Sequence, residues 1–439
     1  MKLNMKNISK LNYGIEVYNL IKKLWHFNRS LTGKGQIQTL SCLKNIQKKI
    51  KIKKFNSGKK VFDWIVPDEW VLDDAWIKDD NGKKLIDFKE NNLHVVGYST
   101  PINKKIKGKD LFKNLHFLKN QPNAIPYVTS YYKKNWGFCI KFNDLKKLKK
   151  NKIFNVNISS KFKKGFLRIG EVFIKGKTSK EILLTSYICH PSMANNELSG
   201  PSLLVYLSKY IEKKKKPYFS YRIIFVPETI GSICYLSQNL KKLQKKVVAG
   251  YNLTCIGDER NYSYLKTRDE NTLSNKTAKH VLKNMVKKYK IHSWLDRGSD
   301  ERQYNLPGID IPLGTLMRTR FGDFPEYHTS LDRLDITVTK KGLGESYNYV
   351  TKVIDAIESS AIKPKIKTKC EPNLGKRGLY PLTSKKDSVG RNKELVNMLN
   401  FLSYSDGKKD LIDISELINI PVWESDVIYK KLKYHKLVS

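Results

Sequence analysis

Apolar residues recur at helical spacing near the start of the chain. Ile15, Tyr18, Leu20, Ile21 and Leu24 predict a helix from about Asn12. The polar stretch Asn28-Arg29-Ser30-Leu31-Thr32-Gly33 interrupts it, and a second helix is expected from about Gln36 to Lys49. From Val61 the texture changes. Short or alternating apolar runs are split by turn signals at Asp80-Asn81-Gly82, Asn91-Asn92 and Gln121-Pro122-Asn123. Trp64, Trp70, Trp76, Tyr98, Tyr127, Tyr131, Tyr132 and Trp136 supply β-forming side chains. A β-rich inserted domain over 61–163 is expected.

From Gly165 apolar strands alternate with amphipathic helices. Phe166 to Ile174, Ile182 to Ile188, Arg222 to Val226, Val247 to Ile256 and Ile311 to Leu316 read as strands. Helices are expected from Ser199 to Glu212, Thr277 to Tyr289 and Gly344 to Ser360. Residues 363–374, with two prolines and several lysines, read as a linker. After it come Asn392 to Leu402, a short helix from Asp413 and a helix from Trp423 to Leu432, the order of a winged helix-turn-helix over 375–439. A plain helical bundle used for protein contacts accounts for the same pattern. The fold class is α/β: a mixed sheet with helices on both faces, built from 1–60 and 164–362, with the insertion and the C-terminal unit attached.

The chain has 439 residues, enough for two or three domains. No run of about 18 apolar residues exists, so no membrane-spanning helix is expected. The N-terminus lacks a signal-peptide core, and the six cysteines form no CxxC pair, which points to reduced thiols and a cytoplasmic setting. The formal charge of +42 invites a nucleic-acid reading, but only 12 of the 83 basic residues are arginines and the lysines are spread end to end. That distribution describes a solvated lysine surface, with weak, non-specific attraction to nucleic acid. Self-association is left open.

The strand ends carry the candidate chemistry. His190 and Glu197 follow one strand, Glu228 the next, Asp258 the third, and His328 the last. Histidines and carboxylates at the carboxyl edge of a sheet are the residue types that hold zinc. His190, Glu197, Asp258 and His328 are the candidate metal ligands, and Glu228 is the candidate general base for hydrolysis by activated water. Single histidines that serve packing alone are the competing explanation.

These residues resemble the M28-type zinc aminopeptidases. Ala194-Asn-Asn-Glu-Leu-Ser-Gly200, Glu228-Thr-Ile-Gly231 and Tyr327-His328-Thr329 with Asp332 are similar to that family's ligand and base segments. Asn28 to Gly33, Asp63 to Pro67, His94 to Tyr98, Tyr127 to Tyr132, Trp136 to Cys139 and Cys189-His-Pro-Ser192 resemble the bacterial aminopeptidase-like family DUF4910, whose members often sit near surface-polysaccharide genes. The resemblance implies a zinc-dependent aminopeptidase or amidohydrolase acting on a small amino-acyl or peptide-like substrate. Asn196, Asp300, Glu301, Arg302, Arg318 and Tyr327 are the implied substrate-binding positions: Asp300 and Glu301 toward an amine, Arg302 or Arg318 toward a carboxylate. Relative to M28, the bridging aspartate falls on Asn196, the second glutamate on Thr229 and a strand-end aspartate near Thr254. One zinc ion is therefore expected rather than two, with Glu197, Asn196 or Asp258 as its third ligand. The same losses suit a metal-poor, non-catalytic binding module with a winged-helix interaction domain.

Overall fold

A computed structural model describes residues 2–131, 133–380 and 393–439, with side chains from residue 12 onward. Tyr132 and Asn392 lie outside the described residues. Two helices open the chain, α1 (Lys2–Leu24) and α2 (Lys34–Ile46), followed by β1 (Lys51–Asn56). The inserted strands are β2 (Glu69–Lys78), β3 (Lys84–Asp87), β4 (Ile102–Lys107) and β5 (Ile153–Lys163). They form one antiparallel sheet in the order β3-β2-β5-β4.

The α/β part continues with β6 (Phe166–Ile174), β7 (Glu181–Tyr187), α3 (Ser199–Lys213), β8 (Ser220–Val226), α4 (Ile230–Lys246) and β9 (Val247–Leu253). It ends with β10 (Ser263–Leu265), α5 (Leu273–Met285), β11 (Lys290–His292), β12 (Leu313–Met317) and α6 (Lys340–Ser359). The main sheet has eight strands in the order β1-β6-β8-β7-β9-β12-β10-β11. Its centre, β8-β7-β9-β12, is parallel. Parallel strands buried on both faces need near-continuous apolar sequence, and every residue of β7, β8 and β12 is buried. β7 lies between β8 and β9, where the winding direction reverses, and the carboxyl ends at such a point form a crevice.

Helix boundaries shift by a turn from the sequence expectation because caps, not periodicity, set them. Thr272 caps α5 by accepting the Asn275 N–H, and Thr339 caps α6 by accepting the Gly342 N–H. Ser199 is the first residue of α3 rather than its cap, and its hydroxyl donates to the Asn195 carbonyl at 2.5 Å. Gly200 permits α3 to start against β9, since a Cβ there would sit 2.2 Å from the Leu253 carbonyl oxygen.

The C-terminal helices are α7 (Lys393–Ser403), α8 (Leu411–Leu417) and α9 (Val422–Tyr434). Residues expected as linker are built into this unit: the Ile366 N–H donates to the Ser405 carbonyl and the Lys367 N–H to the Leu437 carbonyl. Phe401, Leu411, Ile414, Val422 and Leu432 belong to one apolar cluster with Val17, Leu203, Val350 and Ile354 of the α/β part. Ion pairs from Lys276 to Asp410 (2.7 Å) and from Lys283 to Glu416 (2.7 Å) reinforce the contact. The inserted sheet likewise shares a cluster with the main sheet, through Trp70, Ile77 and Phe154 beside Leu183, Ile224 and Val226. Among the described residues no helix is long and apolar enough to cross a membrane.

Candidate active site

His190, three residues past β7, is buried, and both of its ring nitrogens face acids. Nδ1 donates to Glu197 Oε2 at 2.6 Å, and Nε2 lies 3.6 Å from Glu228 Oε2. The segment Ala194–Leu198 is a wide π turn ahead of α3, a geometry frequent at functional sites. Asp332 holds this turn, accepting the N–H groups of Asn195 and Asn196, each at 2.8 Å. Arg29, fully buried, donates through Nε to the His190 carbonyl at 2.8 Å.

Glu228 follows β8. Its Oε1 accepts the Ser299 hydroxyl at 2.7 Å, and its N–H points at Cys189 Sγ, 3.2 Å away. Asp300 accepts the Thr229 N–H at 2.8 Å, and Arg302 donates to the Thr229 hydroxyl at 3.0 Å and the Ser299 carbonyl at 3.0 Å. His328 sits beside His190, ring centroids 5.5 Å apart, and stacks on Tyr327 at 3.9 Å. Tyr127 of the insertion stands edge-on to both, 5.0 Å from His190 and 5.2 Å from His328, and its N–H donates to the His328 carbonyl at 2.9 Å. Thr229 and His328 hold positive φ angles, 63° and 54°. Left-handed backbone at a β-branched threonine is unusual and tends to gather at working sites.

The electrostatics follow from burial and these neighbours. Burial lowers the His190 pKa, but Cys189 and Glu197 outweigh it and push the imidazole well above its usual range. Burial, then the charge of His190, pulls His328 down to about 3. Burial raises Glu228 above the ordinary carboxylate range against the pull of His190, and burial with the nearby Glu228 charge lifts Asp300 to about 8. Negative charge thus converges on His190, a field that suits a bound cation.

The expected residues divide. His190, Glu197, Glu228 and His328 come together, with Tyr327, Asp300 and Arg302 around them. Glu197 is not on the side of His190 that faces Glu228: it takes Nδ1 and so orients the ring, where a ligand role was expected. Asp258 is excluded as a ligand by saturation. Its four acceptor positions are filled by the Thr319 hydroxyl and N–H, the Arg260 N–H and the Asn195 amide. Glu301 is also spent, on the N–H groups of Gly298 and Ser299 and on the Thr315 hydroxyl. Arg318 is buried over the Tyr262 ring and bonded to Glu345 and the Asn261 carbonyl, away from any substrate. Asn196 points its amide oxygen at the Tyr187 hydroxyl, 2.9 Å, in a neutral group with Thr254 and Cys255. Tyr127, Cys189, Ser299 and Arg29 are the residues the sequence did not assign to the site. Three of them stand within the quoted motifs, which was the available signal.

Two imidazoles on one tetrahedral ion at about 2.0–2.1 Å have centroids about 5 Å apart, close to the 5.5 Å seen here. The donor types therefore fit one ion between His190 Nε2 and His328. A second ion does not fit, because Asn196, Thr229 and Thr254 offer neutral groups where it would need carboxylates. Among the described residues the one tight three-donor group is Cys189, His190 and Glu197, with donor atoms within 4.8 Å. The 2.6 Å contact inside it is a hydrogen bond rather than two ligands on a shared ion.

A mixed α/β domain of aminopeptidase type, with an acid–histidine centre at its carboxyl edge and a winged helix at its end, is the class these features define. The chain belongs to the DUF4910 family, a domain of unknown function, which matches residues 18–360, and a winged helix-turn-helix family matches 362–439. A Clostridium acetobutylicum protein described as "Putative polysaccharide biosynthesis protein with aminopeptidase-like domain" is 40% identical over 422 residues, 96% of this chain and 94% of that one. A crystal structure of a "putative peptidase" from the same organism is similar at TM-score 0.90 and 38% identity, covering 100% of this chain and 99% of the other. A zinc aminopeptidase from Bacillus subtilis shares the fold at TM-score 0.57 and 14% identity, over 78% of this chain and 94% of its own.

Proposed function

We propose that the chain hydrolyses an amide or peptide bond in a small amino-acyl or peptide-like substrate, with one zinc ion held by His190 and His328. The observation that carries this reading is the orientation of His190: Glu197 on Nδ1 leaves Nε2 facing Glu228. The ion, when bound, supplies Lewis-acid polarisation of the scissile carbonyl. Glu228 takes a proton from the attacking water and passes it to the leaving amine, a role that its raised pKa favours. Ser299 holds Oε1 and leaves Oε2 for that transfer. Tyr127 and Tyr327 wall the site, Arg302 meets a substrate anion, and Asp300 fixes the turn after Glu228. The description of the Clostridium relative favours a glycan precursor carrying an amino-acyl group as the setting.

The test is turnover of amino-acyl p-nitroanilides and amino-acylated amino sugars by metal-loaded protein, with metal content measured on the same sample. Loss of turnover in Glu228→Gln with the metal retained supports the mechanism. A second reading rests on the neutral Tyr187, Asn196 and Thr254 group: the site binds a small molecule without cleaving it. Ligand binding by wild-type protein that is free of metal and without turnover would select that reading.

A further inference from the structure

A cleft of about 590 Å³ opens beside the loop that follows His328. Its volume falls within the range of small-molecule sites, about 300–1,000 Å³. One wall is the end of α1, with Lys22, Trp25 and His26, and the other is the loop with Ser330, Arg333 and Asp335. Lys22, His26 and Arg333 are exposed and Trp25 is half-buried. Neither Lys22 nor Arg333 has a side-chain hydrogen bond or ion pair among the described residues. The acid in the cleft, Asp335, is engaged by the Tyr18 hydroxyl.

The walls are held in place. Asp332, next to Arg333, accepts two backbone N–H groups from the π turn and the Thr337 hydroxyl, and its carbonyl accepts the Ala194 N–H at 2.9 Å. The Ser330 N–H donates to the Ile125 carbonyl at 2.8 Å. The His26 carbonyl accepts the Asn92 amide at 3.3 Å. Arg333 is thus presented from backbone that needs little rearrangement on binding, which lowers the cost of ordering.

We propose that this cleft binds a ring-bearing phosphate, a sugar phosphate or nucleoside phosphate, with Arg333 and Lys22 on the phosphate and Trp25 against the ring. A phosphate monoester carries about −1.5 to −2 charges near pH 7, so it matches two unpaired cations. A single carboxylate would leave one of them without a partner. The guanidinium fork pairs phosphate oxygens two at a time, and lysine adds a point charge. An indole face accepts a sugar or base ring. The cleft is concave and bounded by an acid, which suits one phosphorylated ring better than an extended polyanion. The binding does not depend on the hydrolytic reading above, and either can fail alone.

The experiment is calorimetric titration of the full chain with glucose 1-phosphate, uridine monophosphate and inorganic phosphate. The ring phosphates are expected to bind at least tenfold more tightly than inorganic phosphate. The double variant Lys22→Ala/Arg333→Ala is expected to lose at least tenfold of that affinity with near-UV circular dichroism unchanged. Lys215→Ala/Lys216→Ala, on the loop after α3 and outside the cleft, is expected to bind as wild type. A preference for glucose 1-phosphate or for the nucleotide supports the site and identifies the ring. No advantage of either ring phosphate over inorganic phosphate, or equal losses in both double variants, overturns it by assigning the binding to the diffuse +42 charge.

Discussion

Glu197 binds His190 through Nδ1, at 2.6 Å, from the buried side of the site. The contact fixes which nitrogen is left for chemistry. It also replaces an acid that the sequence after His190 lacks, since Pro191 and Ser192 follow directly.

Replacing Glu197 should therefore weaken the metal without abolishing it. Partners of ligand histidines change metal affinity by about 10–100-fold, so Glu197→Gln is expected in that range. His190→Ala and His328→Ala, which remove donors, should retain no ion. Chelator competition on the three variants makes the comparison. Equal loss in Glu197→Gln and His190→Ala would make Glu197 a ligand after all.

Glu228→Gln keeps the Ser299 hydrogen bond available but removes the proton acceptor. Positioned general bases contribute about 10²–10⁴-fold, and kcat is expected to fall by that order. Thermal stability and metal content should stay near wild type. A kcat within a few-fold of wild type would move the base elsewhere.

A stability prediction comes from the sheet centre, away from the site. Arg222 on β8 donates to Glu181 through Nε at 2.6 Å and Nη2 at 3.0 Å, and to Glu171 at 3.2 Å. All three side chains are buried. Arg222→Met removes the cation and leaves acids buried without it, a change that costs about 3–5 kcal/mol. The urea midpoint should fall accordingly. The triple change that also replaces Glu181 and Glu171 by Gln should recover part of the loss.

Much of this was legible in the sequence, and for definite reasons. Apolar runs such as Ile182–Ile188 can only be buried parallel strands, and the residues that end them land at one edge of the sheet. His190, Glu228 and His328 were found in that way. Glu197, Asp258, Glu301 and Arg318 show the limit. Residue type and strand-end position say that an acid or cation is nearby, but not which hydrogen bonds already occupy it. Asp258 accepts four, and Arg318 is covered by Tyr262. Tyr127 was assigned to the insertion, because nothing local shows that its backbone pairs with the His328 loop about 200 residues later. The close packing of the C-terminal helices was equally hidden, since their apolar faces suit an isolated bundle and a docked one alike.

That docking carries a pH dependence. His280 on α5 accepts the Val422 N–H through Nε2 at 2.9 Å, while its Nδ1 faces Glu416. Nε2 can accept only when unprotonated. Burial, partly offset by Glu416, lowers the His280 pKa below its usual 6.5. A histidine with a depressed pKa in the folded state contributes stability that is complete above the unfolded value. It loses that stability as pH falls through the unfolded value toward the folded one. The C-terminal unit should therefore loosen below about pH 6.5, seen as faster amide exchange at Val422 and α9. His280→Phe should remove the pH dependence. The N-terminal turn of α9 is the part of such a helix that reaches base edges in a major groove, and here it is docked on the α/β part through Val422 and Trp423. Duplex binding by the full chain should accordingly be weak and salt-sensitive at pH 7.5. Nanomolar, sequence-selective binding at physiological salt and that pH would show that the docked arrangement is not the one that governs this unit.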